Sequence, residues 1–140
     1  MRKIQPLWRQ PDETELVLAE DGWLHTGDIG ALDAQGFLKI LDRKKDMINV
    51  SGFKVFPNEV EDIIARHPGV LEAAVIGVTE SQTGQGVRLF VVKRDPALNA
   101  AEIKRFAREN LAAYKVPKII VFVDALPKSN IGKIIRKDLK

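Results

Sequence analysis

Two stretches of this 140-residue chain gather cations densely enough to suggest chemistry. Residues 43–54 (RKKDMINVSGFK) carry four bases against one acid, and residues 127–140 (PKSNIGKIIRKDLK) carry five against one. Ammonium and guanidinium groups at that density suit phosphates, whether on a nucleotide, a nucleic acid or a membrane surface. Charge alone favours a solvated basic face, so the surrounding motifs have to decide. The aromatic residues are few and are not interleaved with the bases, which argues against stacking on single-stranded nucleic acid. With no cysteine in the chain, disulfides, thiol catalysis and zinc–thiolate sites are excluded. His25 and His67 are too isolated for a metal pair, and Gly84-Gln85-Gly86 is too short a glycine signal to cradle a phosphate.

The elements that must position these cations follow from pattern. At 45% hydrophobic and 29% charged residues, with a net charge of +3, the chain can bury one domain's core. No apolar run approaches the ~20 residues of a membrane span. The opening MRKIQPLWRQPDE has bases but no apolar stretch behind them, unlike a signal peptide. Residues 11–20 predict a short helix. Residues 28–32 and 37–41 predict two strands joined by the turn Asp33-Ala34-Gln35-Gly36. After the charged break Asp42 to Asp46 comes a small strand pair, Met47 to Val50 and Phe53 to Phe56, around Ser51-Gly52. Pro57-Asn58-Glu59 starts a helix, with Pro in the first turn and acid at the positive end of the dipole. Val60, Ile63 and Ile64 form its apolar face, and His67-Pro68-Gly69 stops it. Val70 to Val78 and Val87 to Val92 are strands. Residues 100–112 predict a second amphipathic helix with Ile103, Phe106, Ala107 and Leu111 on one face. Lys118 to Val123 is a further strand, and Ile134 to Leu139 starts a last helix. Trp8, Trp23 and Phe122 are expected to serve packing. The expected class is α+β: a short two-stranded hairpin and a central, mostly antiparallel sheet flanked by helices. Residues 1–41, two strands and a linker, cannot bury much surface alone and call for a partner.

Four motifs then occur in order: Thr26-Gly27-Asp28; Asp42-Arg43-Lys44-Lys45-Asp46-Met47-Ile48; Ser51 through Glu61 (SGFKVFPNEVE); and Pro127 through Ile134 (PKSNIGKI). Each is weak alone. Together, over about Leu7 to Lys140, the chain resembles the C-terminal part of the adenylate-forming superfamily, the AMP-forming acyl-CoA synthetases, and most of all bacterial long-chain fatty acid CoA ligases. The resemblance implies a tail of a large N-terminal domain over 1–41, a hinge at 42–43 and a small C-terminal lid domain over 44–140. It also implies an acid–thiol ligase that turns a fatty acid, ATP and CoA into acyl-CoA, AMP and pyrophosphate through acyl-AMP.

The same resemblance assigns residues. Lys133 matches the catalytic lysine of adenylation, where an ammonium stabilises charge building on carboxylate and α-phosphate oxygens. Asp28 matches the acceptor of the ribose hydroxyls, since a carboxylate can take both donors of a diol. Arg43 and Lys45 match nucleotide contacts, with Lys44 an equal neighbour of Lys45. Asp42 sits at the hinge. Ser51, Gly52 and Lys54 fall where the family meets CoA, although some relatives carry lysines where this chain has Asn49 and Ser51. ATP and CoA enter as substrates, no metal site is assigned to this chain, and Mg2+ belongs to the N-terminal domain.

The adenine pocket, acyl tunnel and glycine-rich phosphate loop lie outside this sequence, so the chain alone is expected to be silent, its partner being the missing N-terminal domain. A lid of an aryl-CoA ligase or of a peptide-synthetase adenylation domain is the alternative within the superfamily. A non-enzymatic basic module for nucleic acid or membrane is the alternative outside it, and nucleic acid is not the expected partner. A cytoplasmic enzyme is expected, and a lipid substrate suits peripheral contact with the inner face of the membrane.

Overall fold

The computed structural model describes residues 11–18 and 22–139. Trp8, the N-terminal basic residues and the last part of the 11–20 helix therefore lie outside the described residues. Helix α1 spans Pro11–Val17. Strands β1 (Asp28–Leu32) and β2 (Leu38–Arg43) pair antiparallel as a separate hairpin. Its turn is built as the Asp-x-x-Gly sequence demands. The Asp33 carboxylate accepts the Gln35 and Phe37 amides, each at 2.9 Å, and Gly36 takes a left-handed φ of +88°.

The second sheet has five strands: β3 (Ile48–Val50), β4 (Phe53–Val55), β5 (Val70–Glu80), β6 (Gly84–Lys93) and β7 (Ile119–Phe122). Their path is β4-β3-β6-β5, with β7 also on β6. All pairings are antiparallel except β6 with β7, so the mostly antiparallel expectation holds. Helices α2 (Pro57–Ile64) and α3 (Ala100–Asn110) cover one face.

The continuous apolar runs of β5 and β6 are explained by burial on both faces. Val75, Leu89 and Val91 point toward the helices with Ile48, Val60, Ile64 and Ile103. Alternate residues Ala74, Ile76, Phe90 and Val92 meet Leu126 on the other face, with Ile134 and Leu139 packed beside them. Ile48, Ile64, Leu89 and Ile103 are essentially inaccessible, and each such side chain contributes roughly 1.5–3 kcal/mol. Gly77 lets Ile48 in: a Cβ there would meet its Cγ1 at 3.2 Å.

Three expectations need correction. The segment 134–139 is not an α-helix; only a 3-10 turn forms, at Arg136–Leu139, because Ile134 is used in a bridge to Lys128. β5 and β6 run on through Glu80 and Gly84, past their apolar stretch, since the backbone ladder continues to the loop. Trp23, expected to serve packing, is 74% exposed. Among the described residues no helix is long and apolar enough to cross a membrane.

Asn99 caps α3, accepting the Glu102 amide at 3.0 Å. Replacing it with Ala should lower stability by about 1 kcal/mol, read as a shift in the urea midpoint at unchanged slope, while Asn99→Asp should stay close to wild type.

Candidate functional site

Lys133 stands in a loop that closes on itself. Lys128 bridges Ile134, the Ser129 amide donates to the Lys133 carbonyl at 2.8 Å, and the Gly132 amide donates to the Ser129 carbonyl at 2.8 Å. Gly132 turns the chain at φ +80°, a conformation that favours glycine. The Ser129 hydroxyl accepts the Lys133 amide at 3.2 Å, which leaves the Lys133 side chain exposed. Lys133 and Lys45 line the same groove, of about 610 Å³, with Ile48, Gly77, Gln85 and Arg136. Lys44 is not part of that lining, so the structure distinguishes the two neighbours. Among the described residues neither Lys45 nor Lys133 enters an ion pair, whereas Lys115, Lys118 and Lys128 are paired with Glu59, Glu80 and Glu72.

Asp28 and Arg43 meet at the end of the β1–β2 hairpin. They are register partners, and the Arg43 guanidinium lies 2.9 Å from the Asp28 carboxylate. Asp42, by contrast, is buried at 3% exposure. One of its oxygens accepts the Arg43 amide at 2.8 Å and the other accepts the Asn58 amide at 2.8 Å. The second bond has a local cause. Phe56 offers α2 no side-chain cap and Pro57 has no N–H, so Asn58 carries the next orphan donor of the helix. Asp42 supplies the missing cap and places a carboxylate at the positive end of the dipole. The adjacent side chains Asp42 and Arg43 are thus fastened to different bodies, α2 and β1.

Ser51 and Gly52 form the tip of the β3–β4 hairpin, both left-handed, with φ of +51° and +88°. That is the two-residue turn matching strand twist, and serine is an uncomfortable first residue in it. Ser51, Gly52 and Lys54 are exposed and do not line the Lys45–Lys133 groove. A separate cavity of about 280 Å³ lies beside Val50 and Tyr114 and gathers Lys104, Arg108 and Lys118. The candidate residues therefore fall in three places: the groove, the end of the first hairpin and the tip of the second.

Sequence reasoning counted Arg136 only as tail charge. In the fold it is the centre of a part-buried cluster. It donates to the Glu61 carboxylate at 2.8, 3.0 and 3.2 Å and to the Asn58 side-chain oxygen at 2.7 Å, and lies 3.6 Å from Asp46. Glu61 also accepts the Val75 amide at 2.7 Å, filling a donor on the outer edge of β5. The one available signal was Glu61 itself, an acid beside the apolar face of α2. Gln85 was likewise passed over; it accepts the Asn49 amide at 2.7 Å and lines the groove.

Burial pushes the Glu61 carboxyl above its ordinary value, against the pull of Arg136 and the Val75 amide. A raised folded-state value favours the folded protein at low pH. That contribution is present below the ordinary 4.5 and is lost as pH rises through the folded value. Relative to wild type, Glu61→Gln should therefore gain stability as pH rises above 4.5, measured by urea unfolding at a series of pH values.

The sequence profile of the AMP-binding enzyme C-terminal domain matches residues 59–133. Over 133 residues the chain is 56% identical to the long-chain-fatty-acid–CoA ligase of Yersinia pestis and 53% identical to that of Escherichia coli O157:H7, covering 95% of this chain and 24% of each relative. Among solved structures, o-succinylbenzoate CoA synthetase (MenE) from Bacillus subtilis, in complex with the acyl-adenylate intermediate OSB-AMP, superposes with a TM-score of 0.90 at 35% identity, covering 97% of this chain and 28% of that one. The chain thus spans about a quarter of the length of the curated relatives it matches. With the profile covering more than half of its residues, the chain belongs to the AMP-binding enzyme C-terminal domain family.

Proposed function

We propose that this chain is the C-terminal lid of a long-chain fatty acid CoA ligase, and that Lys133 assists transfer of the fatty acid carboxylate to the α-phosphate of ATP. The observation that carries the reading is the set of ammonium groups on one groove that enter no ion pair among the described residues, Lys45, Lys133 and Lys137, of which Lys133 stands in the glycine-turned loop. A positioned cation with no carboxylate to abandon is suited to charge that develops on carboxylate and phosphate oxygens. The identity to long-chain ligases at 53% and 56% supports the fatty acid as substrate over an aryl acid.

Asp28 is the proposed acceptor for the ribose hydroxyls and Arg43 the cation beside it. Their 2.9 Å contact supports this, since it orients one carboxylate oxygen and leaves the other for a diol. The joint is proposed at 42–43, between a 1–41 segment belonging with an upstream domain and the lid at 44–140. The separate fastening of Asp42 and Arg43 supports that assignment. Trp23, Leu32, Phe37, Leu38 and Ile40 are each more than half exposed, an apolar surface suited to an upstream domain of the same enzyme. That domain would also hold the acyl pocket and Mg2+. In the thioester-forming arrangement Ser51, Gly52 and Lys54 are proposed to meet CoA, and the cations Lys104 and Arg108 nearby suit its phosphates. Peripheral membrane contact of the whole cytoplasmic enzyme fits a lipid substrate.

The test is carboxylate-dependent ATP–pyrophosphate exchange, by this chain alone and after joining to the upstream domain. The chain alone should be silent. The joined enzyme should exchange, and Lys133→Ala should lower its kcat by about 10²- to 10³-fold. Exchange by the 140 residues alone would overturn the reading.

A further inference from the structure

The packing that holds the Lys133 loop is largely apolar, with one directional tie at its start, the ion pair of Lys128 with Glu72 on β5. Ile134 and Leu139 rest on the outer face of the sheet beside Ala74, Ile76 and Leu126. Such contacts resist lifting the loop but not sliding it along the sheet. Beyond Lys133 the directional tie is Arg136, three residues on. Its planar fork grips Glu61 at 2.8, 3.0 and 3.2 Å, a geometry that tolerates little translation.

Asn58 extends that grip. Its side-chain oxygen accepts from Arg136 at 2.7 Å, its side-chain nitrogen donates to the Leu41 carbonyl at 3.1 Å, and its amide donates to Asp42 at 2.8 Å. One residue thereby connects the end of β2 to the tail. Arg136 also lies 3.6 Å from Asp46, in the same 3-10 turn as Lys45. It is therefore bound to both sides of the groove that Lys45 and Lys133 line.

We propose that Arg136 is a positioning residue: together with Glu61 and Asn58 it sets the distance between Lys45 and Lys133 and holds the Lys133 loop in register with the joint at Asp42. The loop then travels with α2 as one piece when the domain re-orients. This rests on the reading of Lys133 as the adenylation lysine.

The test uses the whole ligase and measures its two half-reactions separately. Adenylation is read as ATP–pyrophosphate exchange. Thioester formation is read as CoA-dependent acyl transfer from chemically prepared acyl-adenylate. Arg136→Lys should lower the exchange kcat by about tenfold or more, with KM for ATP and the transfer rate each within about twofold. Asn58→Ala, which retains the amide bond to Asp42 and the Glu61–Arg136 pair, should show the same pattern more weakly and serves if the arginine variant does not fold. Equal losses in both half-reactions, or unchanged exchange in both variants, would overturn the positioning role. Lys133→Ala separates the two ideas. Intact exchange there overturns the catalytic reading on which this proposal rests. Lost exchange there, with full exchange in Arg136→Lys and Asn58→Ala, overturns the positioning role alone.

Discussion

A carboxylate taken out of water must be surrounded by donors, and two such carboxylates, Asp42 and Glu61, govern how the pieces of this domain meet. Asp42 satisfies its need with backbone amides, Arg43 and Asn58, and in doing so caps a helix that has no cap of its own. Glu61 satisfies its need with the edge amide of β5 and the guanidinium of Arg136. Leaving either carboxylate buried with a partner removed is costly, on the order of several kcal/mol. Segments far apart in sequence are therefore held together at α2: the end of β2, the outer strand of the sheet and the tail beyond the Lys133 loop.

The distribution of ion pairs separates structural cations from those available to a ligand. Of the bases in the two clusters, Arg43, Lys128 and Arg136 are joined to acids. Among the described residues, the groove's cations outside any ion pair are Lys45 on one side and Lys133 and Lys137 on the tail side. The pairing at Glu80 works in the same structural sense: Lys118 and the Thr83 hydroxyl hold its carboxyl below the ordinary carboxylate value and fix the β5–β6 loop.

Most elements were legible because each had a local cause. Asp33 to Gly36 makes its own turn, Pro57 opens a helix, His67-Pro68-Gly69 ends one, and apolar runs mark β5 and β6. The family motifs supplied the candidate residues at once, and the structure brings Lys45 to the groove of Lys133 and pairs Asp28 with Arg43. What could not be read depends on partners distant in sequence. The 75 residues between Glu61 and Arg136 hide the clamp, and nothing local declares that β7 lies parallel to β6. Trp23 looked like a packing residue because its type favours burial, yet 74% of it is exposed. Gln85 reads as part of a weak glycine pair, although it accepts the Asn49 amide and so ties β6 to β3.

The topology of β6 also orders the assembly of the domain. β5 and β6 are joined by three residues and register over their whole length, so this pair forms with little loop-closure entropy and can nucleate early. β7 must wait, since its parallel pairing on β6 requires the chain to travel through α3 and back. The Lys133 segment must wait longer, because its resting place is the outer face that β5, β6 and Leu126 create together. A chain stalled part-way would hold a formed hairpin and a formed helical face but no assembled groove, so this geometry makes the groove a readout of complete folding.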